Sequence, residues 1–211
     1  MKPQLGNRPN TYPVTLETQL PERFERVQVL LRVLVCAALG VLHQSTGGVF
    51  GALYVLLPVV AAILISRRGG AGFLAEDSHW LSALLEWVVG VYAYLLFVTD
   101  RFPLDAHARP ARMHVETQGH PSVGDSLMRL LKSLPHWLVL MLLSVVSGFV
   151  SLLAAIAILF TEHYPQALYS FQYDLVAWIA RVLVYHASLV DTYPPFSLAA
   201  GHAARPPVTG S

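Results

Sequence analysis

Charged residues are scarce in this chain. Of its 211 residues only 13% are Asp, Glu, Lys or Arg, whereas 55% are hydrophobic, and the mean hydropathy is +0.52. An ordinary soluble domain carries about 25% charged residues, so this composition excludes that class. The formal net charge of +1 also offers no basic surface, and we expect no nucleic-acid partner.

Cysteine is almost absent too, and a leader sequence is missing. The single Cys36 excludes an intrachain disulfide, and its apolar neighbours predict a buried thiol. The first 26 residues mix Glu17, Glu22 and Glu25 with basic residues. Because a signal peptide has a basic start followed by an apolar core, we expect no cleaved segment here.

The motifs of catalysis are missing as well. The chain has no phosphate loop, no nucleophile elbow and no paired carboxylates. His107, His114 and His120 are spaced by seven and six residues, which do not share a helix face, and no cysteine completes a zinc site. We therefore expect no enzyme activity and no bound metal.

Three other histidines lie in or near apolar runs and are haem candidates, because paired helical histidines hold haem between membrane helices. They are His43, His136 and His186. No Cys-x-x-Cys-His motif accompanies them. Polar contacts at the membrane surface or between helices are the favoured interpretation, and we expect no cofactor.

What the sequence does contain is long apolar runs. Runs at 47–66, 80–98, 136–160 and 172–190 are long enough to cross a bilayer, and a shorter run lies at 27–43. They predict an integral membrane protein, in contact with the lipid bilayer.

A helix-stop motif occurs twice. "FVTDRFPLDA" at 97–106 resembles "LVDTYPPFSL" at 189–198, and proline ends a helix in both. The matched residues, 91 positions apart, are Asp100, Phe102 and Pro103 with Asp191, Tyr193 and Pro194. "ETQ" at 17–19 and 116–118, and "LLR" (30–32) with "LLK" (130–132), keep the same order. This order predicts a tandem duplication.

The last helix of each unit shares a stripe of residues at helical spacing. It consists of Trp87, Val91 and Tyr94, matched by Trp178, Val182 and Tyr185. The favoured interpretation is a packing seam between the units. A lipid-facing aromatic band and part of a ligand site are the alternatives.

The predicted fold is all-α integral membrane, with two tandem parallel repeats at about 11–104 and 111–198. Each has an interfacial or re-entrant helix (24–42, 124–134) and a transmembrane hairpin (47–66 with 79–99, 136–160 with 172–190). That makes four crossings, or five if 27–43 spans the membrane. Residues 1–10 and 199–211 are tails, and 105–122 link the membrane parts 11–104 and 123–198.

Loop charge predicts the orientation. With four crossings, one side holds eleven basic residues, and the other holds only Arg67 and Arg68. Basic loops stay in the cytoplasm. Both termini and the linker 101–132 are therefore predicted to be cytoplasmic, with the 67–70 turn on the opposite side.

Two predictions concern charged residues. Asp100 and Asp191 follow helix ends, where the macrodipole is negative, so we expect each to accept hydrogen bonds from backbone N–H groups or an arginine. Glu86 and Arg181 lie inside apolar runs, and we expect them to form an intramembrane ion pair between the units.

Several of these phrases resemble a bacterial membrane family, domain of unknown function 4389. They are Tyr12-Pro13-Val14, Pro21-Glu22-Arg23, Ile158 to Pro165, Trp178, and Asp191 to Leu198. The first unit departs from the family pattern, since "ISRRGG" replaces the Tyr-Pro phrase. The resemblance implies a bacterial inner-membrane protein and no known chemistry.

Two functions remain open. The first is an accessory or scaffold subunit that docks to other membrane proteins of a larger complex. The alternative is a pathway or pocket in the membrane for a lipid, small solute or ion.

Overall fold

The computed structural model describes residues 12–18, 23–43, 46–101 and 111–198, and of residues 35–50 only the backbone. The described chain is mostly helical, and its helices overlap the predicted ones. In order, the elements are β1 (Val14–Thr18), α1 (Arg26–His43), α2 (Thr46–Gly72), α3 (Ser78–Leu95), β2 (Ala111–Val115), α4 (Val123–Lys132), α5 (Leu134–Thr161) and α6 (Gln166–His186). One turn of π-helix, Phe73–Asp77, joins α2 to α3.

The all-α prediction is wrong for two short segments, which form an antiparallel two-stranded sheet. Val14 lies opposite Val115, and Leu16 lies opposite Met113. Val14 and Leu16 are buried, whereas Glu17 is exposed. This period of two is the pattern of a half-buried strand. The sequence "VTLET" carries this alternation, but a five-residue run without a recognised partner strand is too short to predict a sheet.

α6 lies at the centre of the fold. Every residue from 172 to 190 is buried, because β1, α2, α3, α4 and α5 all pack against this helix. The Tyr173 hydroxyl donates to the Leu16 carbonyl at 2.5 Å, and Gln172 bonds to Ser147 and Ser151. A helix without a water-exposed face is enclosed either by protein or by lipid, and here protein encloses it.

Two stretches of the described chain are long and apolar enough to cross a membrane. They are Gly51–Leu95, which spans 45 residues through α2 and α3, and α5 with 28 residues. Length and composition alone support this statement. Only 17% of the most apolar part of α5 is buried, so α5 is not the enclosed core helix of a soluble protein.

α3 and α6 run in opposite directions. The amides of Phe24 and Glu25 donate to the Glu162 carbonyl (3.1 Å) and to the Asp100 carboxylate (2.9 Å). The end of α3 therefore lies beside the start of α6, whereas Asp191 follows the end of α6. The parallel arrangement predicted for the two halves is wrong.

The predicted separation of the 67–70 turn from the linker is also wrong. A Cβ atom built on Gly70 would lie 2.4 Å from the Pro121 carbonyl oxygen, and one on Gly119 would lie 1.8 Å from Asp191 Oδ2. The turn, the linker and the end of α6 thus meet at one end of the molecule. The physical reason is that α4 packs along α2 and returns the linker to the turn.

Gly69 breaks the path of α2. Its φ of 72° and ψ of 167° are not helical and belong to a region that only glycine adopts without strain. Nothing lies within 4 Å of a Cβ built there, and the same holds for Gly51 in regular helix. The two glycines therefore differ in backbone conformation and not in available space.

We expect Gly69→Ala to lower the free energy of unfolding by about 1–3 kcal/mol, because alanine is strained in this conformation. Gly51→Ala is the matched control and should raise the free energy by about 0.5–1 kcal/mol, since alanine favours helix over glycine. Denaturant unfolding in mild detergent, followed by circular dichroism, measures both. Equal changes of the same sign would contradict the assigned break.

Candidate functional site

α3 and α6 end in the same way. In each case the chain turns through a non-glycine residue with positive φ, 62° at Phe97 and 60° at Ser188. A left-handed residue after the last turn is a common helix end, but glycine usually fills it. The capping bonds are Leu96 N to Tyr92 O, Phe97 N to Tyr94 O and Val98 N to Ala93 O, then Ala187 N to Leu183 O, Ser188 N to Tyr185 O and Leu189 N to Val184 O. Donors and acceptors match at the offset of 91.

A buried arginine closes the end of α3. Arg32 of α1, 1% exposed, donates from Nη2 to the Thr99 carbonyl and, at 2.8 Å, to Asp100 Oδ1. Its guanidinium carbon lies 4.4 Å from the ring centres of Tyr94 and of Phe97, which attracts the cation to both rings. We call Arg32, Thr99 and Asp100 the Arg32 clamp.

The second oxygen of Asp100 also has a partner, since Oδ2 accepts from the Glu25 amide at 2.9 Å. Burial raises the pKa of the Asp100 carboxyl above its ordinary value, while the Glu25 amide and Arg32 act in the lowering direction. Asp100 therefore accepts one backbone bond and one arginine bond, as predicted from its place at a helix end.

A second arginine closes the end of α6. Arg129 of α4, 4% exposed, donates from Nη1 to the Tyr185 and Val190 carbonyls and from Nη2 to Asp191 Oδ1, each at 2.6 Å. Its guanidinium carbon lies 4.4 Å from the ring centre of Tyr185. Asp191 Oδ2 accepts from the His120 amide at 2.9 Å. Arg129, Val190 and Asp191 form the Arg129 clamp, and the prediction for Asp191 is confirmed.

The two clamps differ in one respect. Nε and Nη1 of Arg32 are buried without a hydrogen-bond partner, whereas no side-chain nitrogen of Arg129 is in that state. A buried donor that lacks a partner costs about 1–3 kcal/mol. The Arg129 clamp is closed, and the Arg32 clamp keeps two donors unused.

Sequence reasoning missed both arginines as functional residues. It matched Arg32 with Lys132 through the "LLR" and "LLK" phrases, whereas the structure gives Arg129 the equivalent contacts. A signal was present, because Arg32 stands between apolar residues and each copy of the repeated stop motif carries an aspartate that needs a partner. Pairing each aspartate with its arginine required knowledge of which helices pack against each other.

The other residues of the stop motifs are only partly described. Phe102 and Pro103 lie outside the described residues. Tyr193 donates to the Lys132 carbonyl at 2.9 Å, and Pro194 follows it on the path that leads Phe196 onto the ring of His136. The second motif thus packs against the start of α5.

The residues of the predicted stripe have different surroundings in the two helices. Trp87 is 48% exposed, whereas Trp178 is 4% exposed and Val182 is fully buried. Val91 is half-buried. Tyr94 and Tyr185 share a role, because each ring lies beside the guanidinium of its clamp.

Two of the haem candidates are held in aromatic packing. His136 accepts at Nδ1 from the Trp178 indole at 3.1 Å, and its ring stacks on Phe196 at 3.8 Å. His186 Nδ1 lies 3.3 Å from the Ser133 hydroxyl. The Nε2 atoms of both histidines are buried without a partner and are the nitrogens that could hold a metal.

The side chain of His43 and the linker residue His107 lie outside the described structure. His114 is exposed on β2, and His120 contributes its amide to the Arg129 clamp. Among the described residues, no group of three or more His, Cys, Asp or Glu side chains is placed to hold a metal ion.

Glu86 and Arg181 are not brought together. Arg181 is 2% exposed and donates to the Ser197 carbonyl at 2.7 Å. The ion pairs found among the described residues do not include Glu86, which is half-buried. The predicted pair is therefore absent from the contacts of this structure, because α6 turns Arg181 toward the C-terminal segment.

An interhelical groove of about 370 Å³ adjoins the Arg32 clamp. α1, α3, α5 and α6 form its walls, and its lining includes Arg32, Leu96, Ser147, Gly148 and Ile179. Ligand pockets typically measure about 300–1,000 Å³ and are mostly apolar with a few polar groups. The groove fits this description, at the small end of the range.

The second half of the chain matches a known family model over residues 124–197, described as Domain of unknown function (DUF4389). The match confirms the resemblance over α4, α5, α6 and the C-terminal motif. The Arg129 clamp lies within the matched region, and the Arg32 clamp precedes it. No curated protein and no solved structure matches the chain.

The Arg129 clamp predicts different outcomes for two substitutions of Asp191. Asp191→Asn keeps an acceptor oxygen and should cost about 1 kcal/mol of unfolding free energy. Asp191→Leu removes the acceptors of Arg129 Nη2 and of the His120 amide, while Nη1 keeps its two carbonyls, and it should cost about 2–3 kcal/mol. Denaturant unfolding in mild detergent measures the difference.

Glu116→Leu is the control, because it adds an apolar side chain at an exposed position of the linker that contains His120. It should change the free energy of unfolding little. If Asp191→Leu behaved like this control, the carboxylate would have no part in closing α6. An equal, large loss in both Asp191 variants would contradict the role of the acceptor oxygen and assign the effect to the charge alone.

Proposed function

We propose that the chain is a non-enzymatic membrane protein and an accessory or scaffold subunit of a larger bacterial membrane complex. The exposed face of α5 carries this proposal. Leu142, Phe149 and Phe160 are between 67% and 80% exposed and belong to a row of exposed apolar residues along the helix. Soluble monomers rarely expose a large contiguous apolar patch, so lipid or another membrane protein covers this face.

The sheet offers a surface of the opposite kind. Glu17, Arg112 and His114 are exposed on it, and Glu17 lies directly opposite Arg112. An arginine in the middle of a bilayer costs at least about 2.5–3.5 kcal/mol, and open sheet edges are not found in contact with lipid. We therefore place the sheet in water or against a partner.

Fewer crossings than four are favoured, because within the described residues only Gly51–Leu95 and α5 are long and apolar enough to span a bilayer. α6 is enclosed by the elements packed around it and presents no face to lipid. We propose two crossings, one within Gly51–Leu95 and one by α5. The Tyr12 hydroxyl donates to the Thr192 carbonyl at 3.0 Å, which supports termini on one side, and the basic residues near both termini favour the cytoplasmic side of the inner membrane.

We further propose that the two halves arose by duplication. The paired helix ends, the two clamps and the antiparallel pairing of β1 with β2 support this relation. Because α3 and α6 are antiparallel, the proposed units are inverted with respect to each other. The DUF4389 match to residues 124–197 coincides with the second unit.

Two single-cysteine variants test the membrane placement. In a Cys36→Ser chain, Phe149→Cys on α5 and His114→Cys on the sheet receive the same fluorescent label, and the protein is reconstituted into vesicles with nitroxide-labelled lipid. We expect strong quenching at position 149 and little at 114, because quenching requires contact with acyl chains. Equal quenching at both positions would contradict the two-surface arrangement.

A charge reversal on the sheet tests the accessory role. We expect Arg112→Glu to lose proteins that co-purify with the native chain in gentle detergent, because it places like charges opposite each other and alters the docking surface. Quantitative mass spectrometry measures the loss. Arg67→Glu, an exposed reversal on α2, is the control and should retain them. A native chain without stoichiometric partners would rule out the accessory role.

One observation favours the alternative of a pocket in the membrane, namely the interhelical groove beside the Arg32 clamp. Nothing comparable favours a conducting pathway within the described residues. A pocket is compatible with an accessory role.

A further inference from the structure

We propose that the interhelical groove binds an acyl chain of an anionic phospholipid, with an oxygen of its phosphate accepting hydrogen bonds from Arg32. This inference goes beyond the accessory role and does not depend on it.

The walls of the groove are effectively apolar, although three serines of α5 line it. The Ser144 hydroxyl donates to the Met141 carbonyl and the Ser147 hydroxyl donates to Gln172 Oε1, both at 2.7 Å. Ser151 Oγ accepts from Gln172 Nε2 at 2.9 Å. Because these bonds are internal, the serines present small side chains and little polar surface, which suits a hydrocarbon chain.

Arg32 gives the groove a polar end. The side chain is 1% exposed and lines the groove, and its Nε and Nη1 lack partners. The guanidinium cannot turn away, since Nη2 is bonded to Thr99 and Asp100 and the rings of Tyr94 and Phe97 lie beside it. A phosphate oxygen is a strong acceptor for such a fixed donor.

The size of the groove favours a lipid over a protein helix. A helix with its side chains is about 10–12 Å across, and a groove of about 370 Å³ does not admit one. The groove also adjoins surfaces that face outward, because Val33 of α1 and Leu152 of α5 line it and are each 59% exposed. A lipid can therefore enter sideways from the bilayer.

The Arg129 clamp is an internal comparison. It has an equivalent aspartate, an equivalent aromatic contact and an equivalent helix end, but its arginine has no buried donor without a partner. The structural difference between the clamps is thus the two unpaired donors of Arg32, a residue that also lines the groove; in the proposal, a ligand supplies the missing acceptors.

Two glycine variants test the site. Nothing lies within 4 Å of a Cβ built on Gly148 in the groove or on Gly51 in α2, so both positions have room for the start of a leucine side chain. Only Gly148→Leu places that side chain in the groove. Native mass spectrometry of the delipidated full-length chain, titrated with dioleoyl phosphatidylglycerol, measures binding. We expect Gly148→Leu to weaken the one-to-one complex by about tenfold or more and Gly51→Leu to leave it unchanged.

Three ligands distinguish the contribution of the acyl chains to binding from that of the phosphate head group. Phosphatidylglycerol should bind more tightly than diacylglycerol, which lacks phosphate, and inorganic phosphate alone should not bind. Arg32→Lys should remove the preference for phosphatidylglycerol over diacylglycerol, whereas Arg129→Lys should keep it. Binding of phosphate alone with equal affinity would assign an ion site and overturn the proposal.

Other outcomes also overturn it. Unchanged lipid binding in Gly148→Leu would place the lipid elsewhere. Disulfide-linked dimers of Gly148→Cys in a Cys36→Ser chain, formed equally with and without lipid, would assign the groove to a second copy. If Gly148→Leu fails to fold, Leu152→Trp narrows the groove from an exposed position and should weaken binding in the same way. None of these measurements involves co-purifying proteins, so their failure leaves the accessory role standing.

Discussion

The hydrogen bonds from a buried arginine to the end of a helix are the interaction on which the rest of the structure depends. The last carbonyls of a helix have no partner within the helix, and the helix dipole makes that end negative. The bonds at the ends of α3 and α6 are buried, and there Arg32 and Arg129 supply both donors and positive charge. Each aspartate then neutralises the arginine and also receives an amide from a neighbouring segment.

These contacts determine how the surfaces are distributed. One clamp fixes α1 on the end of α3, and the other fixes α4 on the end of α6. With both clamp arginines paired to aspartates inside, the outer faces of α5 and of residues 27–34 of α1 are mainly apolar, whereas the sheet keeps exposed charges. The molecule therefore has one apolar face and one charged face.

Helices were largely predictable from the sequence, and their arrangement was not. The apolar runs gave α2, α3, α5 and α6 to within a few residues, and the stop motifs gave two of the clamp residues, Asp100 and Asp191. Composition could not separate α6, which is enclosed by protein, from a helix enclosed by lipid, because both exclude water in the same way. The charge count then separated the 67–70 turn from the linker, which it meets in the structure, since it assumed that all four long apolar runs cross. The groove escaped prediction because it is formed by four helices at once.

The pairing of β1 with β2 has a consequence for biogenesis. Val14 lies opposite Val115, and Tyr12 bonds to Thr192, 180 positions further along the chain. A ribosome releases the first strand long before its partners exist, and contacts between distant residues form slowly. The N-terminal segment therefore stays without these partners until β2 and then Thr192 have been synthesised, and the contacts of β1 are among the later ones to form.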